Sequence, residues 1–356
     1  MKSQWLTKEY YISAQEKYNC FPQSLDALLS SVDEMNADQS LQELFRRLVD
    51  VMEHPDTWDD SLELPTPHHM LAAVAVCAFM PGMIEGMVED GFPLDTACAT
   101  AREMDLAIQE VRLSNKDKPG MSLDLVKWYR RYLKRDMFRM GRFNFERSHS
   151  FTGHVKVFRN KQGEEMAFSH EIAINETGDA AANGGKEAFY AKVWEEDGLI
   201  CGHRIVDGFA ESTVTKIPKE DWECVLSLGD PVIHIHVPSF EPFTPEYMER
   251  SYEDGMAMIQ KVWGDFGARA IVGKSWILNP RLHEILRPDS NLLYFQKRYT
   301  PFPAEGNTES ALECVFFDVP EDLHELPEKT SLQKKLKQMY LSGDSLYTIY
   351  SYWLFA

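Results

Sequence analysis

The chain of 356 residues carries only six cysteines (Cys20, Cys77, Cys98, Cys201, Cys224 and Cys314), and no two of them form a Cys-x-x-Cys pair. That spacing excludes a zinc ribbon and a disulfide framework, so the thiols are expected to be reduced and mostly buried. Positive charge is also short. The 37 Lys and Arg stand against 56 Asp and Glu, a formal charge of -19. Such a surface repels nucleic-acid backbones and anionic membranes, so neither is an expected partner. The N-terminus, Met-Lys-Ser-Gln-Trp-Leu-Thr-Lys-Glu-Tyr-Tyr, has no apolar core of a secretory signal, which points to the cytoplasm. The most apolar run, Met70 to Met83, is too short to cross a bilayer core of about 30 Å and contains Pro81. A buried helix is expected there. Gly-x-Gly-x-x-Gly, the P-loop, His-Glu-x-x-His and Gly-x-Ser-x-Gly are all missing, which removes the best support for dinucleotide, nucleotide, zincin and serine-hydrolase readings.

What is present is ordinary globular composition, with 44% apolar, 12% aromatic and 26% charged residues. The length exceeds what one hydrophobic core organises, so two domains are expected, a helical one over 1–140 and a second over 141–356. From about Ser24 to Arg139 the apolar spacing is helical, as in Leu41, Leu44, Phe45 and Leu48. A polar Pro-Gly break at 115–120 precedes Ser122, a candidate N-cap for a helix carrying Trp128, Tyr129, Tyr132 and Leu133. After Gly141 short alternating runs take over. Strands are predicted at 166–174, 188–194, 211–217, 232–237, 270–278, 291–299, 314–319 and 345–355, with helices at 244–263, near 280–286 and at 331–340. The pattern is α+β, an all-helical N-terminal part followed by a mixed-sheet part.

Three stretches could carry chemistry. Val232-Ile-His-Ile-His-Val-Pro-Ser239 puts His234 and His236 two apart on a strand, hence on one face. They could be structural, shuttle protons, or supply two ligands to a metal-dependent hydrolase, although no third ligand stands at a telling spacing. The loop that follows leads to Thr244, an N-cap candidate, with Pro245 and Glu246 behind it. A helix start of this kind binds phosphate through free N–H groups, but the loop holds no glycine and Glu241 opposes an anion. In the second stretch, Lys127 to Arg147, eight basic residues (Lys127, Arg130, Arg131, Lys134, Arg135, Arg139, Arg142, Arg147) face Asp136 and Glu146. It could attract phosphates or pair with the acidic remainder of the chain. The third holds Ser275 and Trp276 in Gly273-Lys-Ser-Trp-Ile-Leu-Asn-Pro280, then Ser290 and Asn291. There Trp276 reads as core and Ser290-Asn291 as a turn.

Taken in order, several segments resemble a bacterial family of acyltransferases built from a helical N-terminal acyltransferase-associated domain and a GNAT-like C-terminal domain. The carriers are Phe138-Arg-Met-Gly-Arg-Phe-Asn-Phe-Glu146, Gly202-His-Arg-Ile-Val-Asp-Gly208, Trp222-Glu-Cys-Val-Leu-Ser-Leu-Gly-Asp230, Ile235-His-Val-Pro238, Thr244-Pro-Glu246, Ser275-Trp-Ile-Leu278 and Ser290-Asn-Leu292. The resemblance implies a GNAT-like domain and transfer of an acyl group from acyl-CoA or acetyl-CoA, as co-substrate, to a small-molecule amine, with no metal. It implies His236 as the base that takes the ammonium proton, with His234 beside it and Glu146 as an alternative. It implies Ser239, Thr244, Arg142, Ser275, Trp276 and Asn291 as residues on the CoA side. A catalytically silent GNAT-like module that binds a small ligand or a protein partner is the other reading, suggested by the glycine-free loop.

Overall fold

A computed structural model describes residues 2–54, 57–239 and 241–355. By Cα proximity the chain divides into two compact units. The first holds 1–146 with 237–241 and 250–264; the second holds 147–236, 242–249 and 265–356.

The first unit is helical. Its helices are α1 (Lys8–Tyr18), α2 (Leu25–Ala37), α3 (Gln39–Glu53), α4 (Met70–Cys77), α5 (Met80–Glu89), α6 (Leu94–Ser114) and α7 (Leu123–Leu133), followed by strands β1 (Met137–Met140) and β2 (Phe143–Ser148). Local chemistry sets several ends. Asp38 accepts from the N–H groups of Ser40 and Leu41 to start α3, and Ser122 Oγ accepts from Leu125 N at 3.2 Å to start α7. The apolar run at 70–83 becomes two helices with a turn at Ala78–Phe79, and Pro81 sits in the first turn of α5, where its missing N–H costs nothing. Extended to Glu89 the run is long and apolar enough to span a membrane (mean hydropathy 1.8), yet 72% of that window is buried inside the protein. Every residue of α4 from Leu71 to Cys77 is buried, which makes it the core helix of this unit. β1 and β2 form an antiparallel hairpin turning at Gly141, whose φ of +53° is left-handed.

The second unit holds two sheets. Strands β3 (Val155–Asn160), β4 (Glu165–Ser169), β5 (Ile172–Asn175), β6 (Glu187–Ala191), β7 (Trp194–Glu196), β8 (Leu199–Val206), β9 (Phe209–Pro218), β10 (Trp222–Leu226) and β11 (Val232–His236) come first. Then follow α8 (Pro245–Trp263), which runs on into the first unit, β12 (Ala270–Ser275), α9 (Leu282–Ile285), α10 (Asn291–Gln296), β13 (Thr300–Phe302), α11 (Ser310–Phe316), α12 (Ser331–Leu341) and β14 (Ile349–Leu354). One sheet has the order β10-β3-β4-β8-β7 with β9 also on β8, and β5 pairs with β6. In the other, β11, β12, β14 and β13 are successive neighbours. β11 and β12 are parallel and the other pairs antiparallel. Val155 and Val157 from the first sheet pack with Val232, Val272, Phe302 and Tyr352 from the second, so the two sheets bury a common core.

Two expected strands are helices. Residues 291–296 form α10, opened by Tyr294 N donating to Ser290 O and held by Gln296, whose Nε2 donates to Ile277 O and Asn279 O. Residues 310–316 form α11, because Asn307 Oδ1 accepts from the N–H groups of Glu309 and Ser310 and Ala-Leu-Glu propagates the turn. Phe317, at φ +61°, then ends the helix. The run at 166–174 breaks into β4 and β5, that at 188–194 into β6 and β7, and β12 stops at Ser275, where Ser275 Oγ caps a 3-10 turn by accepting from Ile277 N.

Candidate functional site

In the second unit β11 presents the two histidines on one face, as their spacing requires. Their rings lie 6.3 Å apart and within 12° of parallel. His234 is in register with Val272 of β12, so both histidines face the side on which Val232 and Val272 join the core, at the half-exposed end of the strand. On the opposite side Ile235 leans over Gly273. A Cβ at Gly273 would fall 3.4 Å from Ile235 Cγ2, an ordinary contact, and 2.7 Å from Leu278 Cδ1, so the end of the Leu278 side chain would have to move. The parallel ladder pairs Ile233 with Ile271 and His234 with Val272 and does not continue to His236 and Lys274. β12 is meanwhile paired along its whole length with β14 on its other edge. The pairing of β11 with β12 thus ends at His234 and Val272, short of the end of β11 at His236.

Past the strand, Thr244 Oγ1 accepts from Tyr247 N at 3.4 Å and caps α8, whose first residue, Pro245, has no N–H to satisfy. Ser275 ends β12 as described, Trp276 is buried, and Asn291 is exposed at the first turn of α10. Among the described residues no three His, Cys, Asp or Glu side chains gather as a metal-ligand set, so His234 and His236 have no third ligand beside them.

The other sequence-predicted residues belong to the first unit. Arg142 is buried, and its Nη1 donates to Pro238 O at 2.5 Å. Ser239 Oγ donates to Glu110 Oε1 at 2.7 Å. Both side chains thereby hold the 237–241 segment, in which Phe240 lies outside the described residues. Glu241, which opposes an anion on paper, stands 3.6 Å from Arg139 Nη2. Arg139 is itself buried against Glu103 at 2.7 Å, and Asn144 Nδ2 donates to Glu103 at 2.8 Å and to Tyr132 Oη at 2.9 Å. Burial pushes the Glu103 carboxyl above its usual range, with Arg139 and Asn144 pulling the other way. Glu146 is gripped by both arms of the Arg131 guanidinium, from Nε at 2.7 Å and from Nη2.

The basic stretch is largely consumed inside its own unit. Arg135 Nε donates to Asp90, and Arg130 Nη2 donates to His54 O and Thr57 O. Lys127, Arg130, Arg131 and Lys134, with Asp136 and Glu146, line a cleft of about 290 Å³. The cysteines carry no nucleophile signal. Cys20, Cys77, Cys98 and Cys201 are buried, and burial pushes the Cys20 thiol up to about 12. Sequence reasoning missed a second cavity, about 330 Å³, lined by residues that include Leu278, Leu293, Pro301 and Ser351. These come from four separated segments, and only the register of β12, β14 and β13 assembles them.

The sequence profile of a family described as GNAT-like C-terminal domain matches residues 137–352. No curated protein sequence matches the chain. Among solved structures, an acyltransferase in complex with decanoyl-CoA and teicoplanin aligns with TM-score 0.64 at 16% identity, covering 98% of this chain and 88% of that one. An acyltransferase in complex with CoA and 10C-teicoplanin aligns with TM-score 0.64 at 16% identity over 97% and 88%. A third, an acyltransferase in complex with decanoyl-CoA, aligns with TM-score 0.60 at 17% identity over 94% and 83%. At such identity the likeness is one of fold.

Proposed function

The chain belongs to the family of GNAT-like C-terminal domains, and from that premise we propose that it is an acyl-CoA-dependent acyltransferase that hands the acyl group to an amine. The observation that carries this reading is the end of the parallel ladder of β11 and β12 at His234 and Val272, with His236 beyond it on the same strand face. A strand end of this kind can pair with an extended, amide-bearing arm through backbone N–H and C=O groups, and the arm of an acyl-CoA has that chemistry. Solved acyltransferases of the same fold are bound to CoA and decanoyl-CoA, which supports the reading.

In this reading the N-terminus of α8 faces phosphate with the positive end of its helix dipole. Arg142 and Ser239 act on the shape of the preceding loop. The acceptor's ammonium gives its proton to His236, at the end of β11, with His234 beside it to pass the proton on. The amine nitrogen then attacks the thioester carbonyl, the C–N bond forms, and the C–S bond breaks with the electron pair leaving on sulfur, which a proton finally neutralises. Glu146, held by Arg131, orients that arginine. The acceptor is a small-molecule amine, and the protein acts in the cytoplasm. A ligand-binding module without turnover is the second reading, favoured by one observation: the polar side chains of the 237–241 segment are already engaged by Glu110 and Arg139.

The test is thermal unfolding with and without acetyl-CoA, longer acyl-CoAs and free CoA, followed by thiol release in the presence of amines. Ligands that bind only the native state raise its melting temperature. A rise together with amine-dependent thiol release supports transfer, a rise without release supports the silent module, and no rise with any of them removes acyl-CoA from the reading.

A further inference from the structure

The cavity of about 330 Å³ in the second unit lies on the face of the sheet opposite the histidines. Its floor is Ser351 of β14, in register with Gly273 on one side and Pro301 on the other, a row in which no side chain is large. Leu278, Leu293, Pro280 and Pro301 supply an apolar wall. That wall is fixed in place, because Gln296 Nε2 bridges Ile277 O and Asn279 O, and Asn279 Nδ2 donates to Tyr347 O.

Ser351 is 1% exposed, and among the described residues its Oγ has no hydrogen-bond partner. A buried hydroxyl without a partner is a standing free-energy cost, and native proteins rarely keep one beside open space without use for it. At the mouth, exposed Asp207 stands against exposed His283 and Lys297, so the charges there give no preference for a strongly ionic ligand. A volume at the low end of ligand sites, mostly apolar walls and one unsatisfied hydroxyl at the floor together define a complementary shape.

We infer that this cavity binds a compact, neutral, mainly apolar molecule with one oxygen at its buried end, of the class of monocyclic phenols, and that Ser351 Oγ is the group that recognises that oxygen. The inference stands apart from acyl transfer: it uses none of the residues assigned to that reaction.

The experiment is fluorine NMR titration of the full chain with para-fluorophenol, and with fluorobenzene as the ligand that fits the walls but has no oxygen. Para-fluorophenol is expected to bind the more tightly, by roughly three- to tenfold, the worth of one net hydrogen bond. Ser351→Ala is expected to erase that preference while keeping fluorobenzene binding, and to leave the melting temperature unchanged or higher because an unpaired hydroxyl has gone. Ser351→Leu, which fills the floor, is expected to lose both ligands. If neither ligand binds the unaltered protein, if both bind equally, or if the preference survives in Ser351→Ala, the inference is overturned.

Discussion

Arg139→Met would strip the buried Glu103 of its cation while keeping most of the side-chain volume. Both side chains are only 6% exposed at a separation of 2.7 Å, so water cannot replace the lost partner. Removing one member of such a pair costs about 3–5 kcal/mol, which for a unit of this size lowers the melting temperature by roughly 6–20 °C. The pH dependence fixes the mechanism. Burial already raises the Glu103 carboxyl, so folding takes up a proton there. The associated stability is complete below the unfolded pKa and falls as pH rises through the folded one. Without Arg139 the folded pKa rises further. The deficit relative to the unaltered protein should therefore be larger at about pH 7 than at about pH 4 and shrink as acid protonates Glu103. Glu103→Gln in the same chain should recover most of the loss at neutral pH, since the amide needs no cation. Urea unfolding of the three proteins at both pH values measures this. A cost under about 1 kcal/mol, or one equal at the two pH values, would refute the account of a desolvated carboxylate held by Arg139.

Further substitutions test other contacts. Gly141→Ala places a Cβ 2.2 Å from Ser251 Oγ at a φ of +53°, so thermal melting should show a loss of about 1–3 kcal/mol from strain and displacement of the hydroxyl that accepts from Arg142 N. Tyr347→Phe removes the hydroxyl that bonds Asp179, a carboxyl raised by burial and otherwise held by Ala180 N and Asn183, and should cost about 1.5–3 kcal/mol in urea unfolding near neutral pH. Its loss should lessen on acidification, as protonation removes the buried charge. His236→Gln should lower amine-dependent thiol release by roughly 100-fold or more while the melting shift with acyl-CoA persists. Unchanged turnover would remove His236 from the mechanism.

The sequence shows plainly those elements whose apolar period is long. α3 and α7 carry Phe45, Leu48, Tyr129 and Tyr132 on buried faces, and their caps Asp38 and Ser122 do what those residue types do. β11 and its two histidines were legible for the same reason. By contrast, Asn291 to Tyr299 and Cys314 to Val319 are short aromatic runs in which helix and strand look alike, and the bonds of Gln296 to Ile277 and Asn279 and the local cap by Asn307 decide the outcome. β8 escaped notice because Gly202, His203 and Arg204 interrupt its alternation, yet it sits between β4 and β7. The basic stretch was visible as charge, but one-dimensional spacing could not say that Arg131, Arg139 and Arg142 turn inward to Glu146, Glu103 and Pro238. The cavity over Ser351 had no local signal at all.

The helical unit is not finished where its helices end. Phe143 packs on Tyr252 with ring centroids 4.6 Å apart, and Phe138 on Trp263 at 5.0 Å, so aromatic contacts of the β1–β2 hairpin wait for residues far downstream. During synthesis, α1 to α7 leave the ribosome long before Trp263 does, and the strands β3 to β11 emerge in between. The nascent hairpin therefore spends that interval with part of its aromatic surface uncovered, a window in which a chaperone would have something to hold.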